Sequence, residues 1–141
     1  MNALQTTTAQ PLPTMSTARV PMVGMLRALL IAEAIAGFAL AVYLSTVAAG
    51  LGQAGEESVR FAAGAAFLFA IFAAIASRGA RRRRTWSWTM AAILQVLLAV
   101  GTGIAVMVAE WHPLFLVGFG AAAVVMLVLS TTAVRRALGQ E

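Results

Sequence analysis

One carboxyl and one amide sit deep in apolar sequence: Glu33 in LLIAEAIAGF and Gln95 in AAILQVLLAV. An ionisable side chain inside a lipid-soluble stretch is costly to bury, and for that reason it is a candidate functional group by default. At helical spacing Glu33 shares a stripe with Ala36, Gly37 and Ala41, and Gln95 shares one with Ala91, Ala92, Ala99, Thr102 and Gly103. Such small side chains let two helices approach closely. Counted from Arg27 and Trp88 as markers of one surface, Glu33 and Gln95 lie about 9 and 10 Å deep at 1.5 Å per residue. Equal depth predicts a hydrogen bond between the two helices that carry them.

The chemistry open to this pair is narrow. An acid and an amide can act as polar glue between helices, worth roughly 1 kcal/mol. A proton relay ordinarily needs a chain of Asp, Glu or His, and the chain has no Asp and a single His. That residue, His112, lies beside Glu110 in the polar turn EWHP, and two ligands fall short of the three or four that a zinc site takes. There is no Cys, so thiolate nucleophiles, thiolate metal sites and disulfides are excluded. No glycine run has the form of a phosphate loop. The expectation is therefore a chain that is not an enzyme, with no catalytic residues, no metal and no cofactor.

The elements that must position the pair are read from composition. Of 141 residues 61% are hydrophobic and 11% charged, with a mean hydropathy of +0.88. A soluble domain carries about 25% charged residues, and a chain this short cannot hide so much apolar surface in one core. Spans of about 26–49, 59–77, 88–109 and 113–134 each approach the ~20 residues that cross a bilayer as a helix. None alternates apolar and polar as a barrel strand would, and lipid leaves backbone polar groups only helices or closed barrels. Short links between them make neighbours antiparallel. The expected fold is all-α, a membrane-spanning four-helix bundle over residues 22–136 with N and C termini cytoplasmic. Residues 1–21 read as a disordered cytoplasmic tail, rich in Thr, Gln and Pro, and residues 137–141 as a second cytoplasmic tail. The first does not have the layout of a secretory signal peptide.

Orientation follows from the arginines. Arg19, Arg27, Arg78, Arg81, Arg82, Arg83, Arg84, Arg135 and Arg136 fall on one side of this arrangement and Arg60 on the other. Positive residues near spans stay cytoplasmic. Arg81, Arg82, Arg83 and Arg84 serve as a topology signal, and each could add about 1 kcal/mol of attraction to anionic lipid headgroups. Nucleic acid is not an expected partner, because the charge forms a short loop at a membrane surface. Trp86 and Trp88 on that side and Trp111 on the other are placed as interface anchors at headgroup depth. Ala62, Ala66, Ala70 and Ala74, and Gly118 with Ala122, are spaced for close helix packing, while Phe61, Phe69 and Phe72 are expected to meet lipid or a partner subunit.

Two family resemblances accompany these residues. The segment IAEAIAG, residues 31–37, resembles the glutamate segment of the small multidrug resistance transporters, which implies proton exchange against a cationic substrate at Glu33. The layout as a whole is similar to small four-span integral membrane proteins of actinobacteria: an Arg-rich loop, Trp88 at the start of the third span with Gln95 following, and a basic end AVRRALGQE. That resemblance implies a topology without an assigned activity. The expected protein is a non-catalytic component of a bacterial inner (plasma) membrane. Its partners are the lipid bilayer, anionic headgroups and either other membrane proteins of a complex or further copies of itself. The rival is a small proton-coupled transporter using Glu33.

Overall fold

The computed structural model describes residues 20–50, 53–108 and 114–140. They form five helices: α1 (Val20–Ala48), α2 (Gln53–Arg81), α3 (Trp86–Val108), α4 (Leu114–Ser130) and α5 (Thr132–Ala137). No strand occurs among the described residues. Three helices are long and apolar enough to cross a membrane, within Pro21–Ala48, Glu56–Arg81 and Trp86–Met107, at mean hydropathies of 2.0, 2.1 and 2.2. Only 17%, 22% and 17% of their most apolar windows is buried within the chain, so most of that apolar surface needs cover from outside it. Helix α4 is shorter at 17 residues, or about 25 Å.

The core lies at one end. Leu26 and Leu30 of α1, Ala73, Ala76 and Ala80 of α2, Ala91 and Leu94 of α3, and Val125, Val128 and Leu129 of α4 form one buried cluster. It sits beside the arginine loop that joins α2 to α3. The alanine side chains allow the close approach. Gly37 of α1 does the same farther along, where an added Cβ would lie 3.3 Å from both the Ala66 carbonyl oxygen and the Ala70 Cβ of α2. Phe69, expected to face outward with Phe61 and Phe72, packs against the core instead, because Gly37 leaves room for its ring; Phe61 and Phe72 are exposed.

The arginine loop is ordered by its own backbone. The Arg84 N–H donates to the Gly79 carbonyl and the Arg83 N–H to the Ala80 carbonyl, both at 3.1 Å, with Arg83 at φ 50°. This is the paired bonding of a Schellman ending, in which a left-handed residue satisfies the last carbonyls of a helix. The same pattern ends α5, with Gly139 at φ 71° and the Gln140 N–H donating to the Arg135 carbonyl at 2.9 Å.

The fourth apolar stretch differs from the continuous span expected over 113–134. It breaks at Thr131, whose backbone is extended at φ −67° and ψ 136°. Ser130 Oγ donates to the Met126 carbonyl and Thr131 Oγ1 to the Val128 carbonyl, so hydroxyls compete with the helix for its last acceptors. Helix α5 then turns under the bundle and buries Val134 and Leu138 in the core. Residues 137–140, expected as a tail, are thus held against the bundle by Leu138 and by a Gln140 Nε2 bond of 3.3 Å to the Thr85 carbonyl.

Candidate functional site

Gln95 is carried by the middle of α3 and is 1% exposed. Its Nε2 donates to Glu33 Oε2 of α1 at 2.8 Å, a bond between residues 62 apart in the chain. The structure therefore brings together the two polar groups whose depths match in the sequence. Helix α1 reaches α3 here because Leu30 and Leu94 pack in the same buried cluster close by along each helix. On the Glu33 stripe, Gly37 packs against Ala66, Phe69 and Ala70 of α2, and Ala41 lines an opening together with α2 residues. One stripe thus supports two contacts.

The pair is half satisfied. Glu33 Oε1 and Gln95 Oε1 are both buried without a hydrogen-bond partner among the described residues. A carboxylic acid and a primary amide are able to close a ring of two hydrogen bonds, amide N–H to acid oxygen and acid O–H to amide oxygen. The amide half is present. What the two orphaned oxygens lack is a donor, and a proton on the carboxyl or a donor group of a ligand would supply it. Among the described residues no cluster of three or more His, Cys, Asp or Glu side chains could hold a metal ion.

Trp88, expected as a headgroup anchor, also makes a contact within the chain. Its ring is part of the core margin, and its Nε1–H donates to the Leu129 carbonyl at 3.1 Å. Helix α4 ends at Ser130, so that carbonyl has no later N–H in its own helix, and the indole takes the missing place. The clue in the sequence was the polar run Ser130-Thr131-Thr132, which marks a helix end at the depth of Trp88. Trp86 is exposed on the surface, but its ring edge lies over Gly79: a Cβ there would fall 2.7 Å from Trp86 Cη2. Trp111 lies outside the described residues, as do Glu110 and His112.

The arginine cluster divides in two. Arg82, Arg83 and Arg84 are exposed in the loop, whereas Arg81 joins Arg78 of α2 and Arg27 of α1 around a cleft of about 400 Å³ floored by Ala74 and Ser77. Spacing alone gave no sign that Arg27 belongs with Arg78 and Arg81. At the far end of α2, Arg60 pairs with Glu56 at 2.5 Å across one helical turn.

These features define an all-helical chain with three helices of membrane-spanning length and one buried acid–amide contact. No family model, curated protein or solved structure matches it.

Proposed function

We propose that the protein is a non-catalytic, four-span component of a bacterial inner membrane, built to associate through its helices with other membrane chains or with further copies of itself. The observation that carries this reading is the contrast between the two ends of the bundle. One end holds the buried core, although Gly24 and Leu127 are open there too, and the other leaves Phe61 81% and Met107 89% exposed, with open space beside Gly64, Gly101 and Gly120. Glycines without a neighbour are places where a further helix can approach closely in lipid. A fourth crossing is supported by the Trp88–Leu129 bond, which puts the end of α4 at the level where α3 begins. An even number of crossings leaves both termini on one side, and the arginine distribution favours the cytoplasm.

The absence of native cysteine makes a direct test simple. Phe61→Cys, Met107→Cys and Thr85→Cys each give a unique thiol. In intact cells an impermeant maleimide should label the first two and reach the third only after permeabilisation. With a benzophenone attached at positions 61 and 107, illumination of native membranes should yield a discrete protein adduct. Adducts with lipid alone, or labelling of position 85 from outside, would remove the reading.

The second reading, a proton-coupled carrier, is favoured by the two orphaned oxygens of Glu33 and Gln95. They mark a place where a proton could bind and leave. It needs flux of a cationic substrate that Glu33→Gln abolishes in reconstituted vesicles.

A further inference from the structure

Arg27, Arg78 and Arg81 converge from two helices on one cleft. Among the described residues none of them has an acidic partner at ion-pair distance. Like charges held side by side repel, and the arrangement is relieved by an anion between them. Ser77 Oγ already donates to the Ala74 carbonyl at 2.7 Å, so the guanidinium groups are the donors the cleft presents. Guanidinium is suited to phosphate because its fork of N–H groups matches two oxygens at once.

The cleft does not stand alone. A second opening between α1 and α2, about 740 Å³, is lined by Phe38, Val42, Gly64 and Phe67. On α2 the lining residues Arg60, Gly64, Phe67, Ala74, Arg78 and Arg81 recur at intervals of three, four and seven, which is a single helix face. The interval between the openings is bordered at the same spacing by Ile31 and Ile71, both exposed. The shared face is thus cationic at the arginine cleft and apolar from Ile31 and Ile71 to Phe38 and Phe67, with Ser45, Thr46 and Arg60 at the far end of the second opening. Phe38 and Phe67, with ring centroids 6.1 Å apart, stand at the near edge of the second opening, with Phe38 eleven residues from Arg27, or about 16 Å. One leaflet of hydrocarbon is about 15 Å deep.

We propose that the arginine cleft binds one anionic phospholipid, its headgroup phosphate held by Arg27, Arg78 and Arg81 and an acyl chain lying along the shared face of α1 and α2 as far as Phe38 and Phe67. A free phosphate would satisfy the cleft but leave the apolar face beside it uncovered, and a neutral phospholipid brings a cationic headgroup nitrogen that cancels its own phosphate. Charge and shape together therefore select an anionic lipid. The proposal rests on the membrane-spanning reading and is independent of the identity of any protein partner.

The test is native mass spectrometry of the full chain from nanodiscs of phosphatidylcholine containing a minor fraction of phosphatidylglycerol. Wild type should retain one phosphatidylglycerol. The triple variant Arg27→Gln, Arg78→Gln, Arg81→Gln should lower that retention by roughly tenfold or more, and by clearly more than Arg82→Gln, Arg83→Gln, Arg84→Gln, which removes as much charge outside the cleft. Equal loss in both triples would show a diffuse surface-charge effect and overturn the site. Equal retention of phosphatidylcholine, or displacement by millimolar inorganic phosphate, would do so as well. Should the first triple fail to fold by circular dichroism, Ala74→Trp keeps every charge and fills the cleft; undiminished phosphatidylglycerol retention in that variant overturns the proposal. A chain that enters no nanodisc at all would contradict the membrane-spanning reading itself, a different outcome from selective loss of one lipid.

Discussion

At the scale of single residues the decisive contact is one hydrogen bond, Gln95 to Glu33. It ties α3 to α1, which otherwise touch mainly through the common core. Replacing one partner by Leu strands the other's polar group, whereas replacing both removes the whole polar site; the excess cost of the single changes is the coupling. A double-mutant cycle of Glu33→Leu and Gln95→Leu, followed by unfolding in mixed micelles, should give about 1 kcal/mol, within the range for bonds between membrane helices. Additive effects of the two substitutions would show that the contact contributes nothing. Glu33→Gln should fold as well as wild type, because a second amide both accepts from Gln95 and donates to it. This pair was legible in the sequence because only two strongly polar side chains lie deep in the apolar stretches, and counting rise from the same surface puts them at the same depth. The orphaned oxygens were not legible, since they depend on atomic geometry at the contact.

Helices and their ends set the next scale. Helix α2 runs four residues past the apolar stretch 59–77 because Gly79 and Ala80 pack under the start of α3. A Cβ on Gly79 would meet Trp86 at 2.7 Å and Ser87 Cβ at 2.8 Å. Gly79→Ala should therefore cost about 1–3 kcal/mol through overpacking, read as a lower unfolding midpoint in detergent. Trp86→Ala in the same chain should recover part of the loss, and a Gly79→Ala variant as stable as wild type would deny the close packing. The apolar stretches were legible from hydropathy, and so were the short links that make neighbours antiparallel. The break at Thr131 left only the run Ser130-Thr131-Thr132 as a clue, which does not decide it because Ser and Thr are tolerated inside apolar helices; here their hydroxyls bond to the Met126 and Val128 carbonyls where the helix ends. Trp88 was expected as an anchor because its type suits the headgroup region, and its bond within the chain was not legible. The partner that draws it inward is a backbone carbonyl exposed by that same break.

For the whole molecule the uneven distribution of packing matters most. Leu26, Leu30, Leu129, Val134 and Leu138 are essentially fully buried at the arginine end, while Phe61 and Met107 stand almost free. Lipid can cover single apolar side chains of this kind. A reproducible assembly would instead use the glycine faces that are left open among the described residues. The composition, with its 11% charged residues, indicated a membrane environment, but composition cannot locate an uncovered face. That required the helices to be placed against one another. The most direct measurement of the central claim is the mass of the particle released from native membranes by a mild detergent, determined by native mass spectrometry with the detergent removed in the gas phase. We expect a species of fixed stoichiometry that contains more than one protein chain. A single chain of 14.7 kDa, carrying lipid at most, would contradict the account.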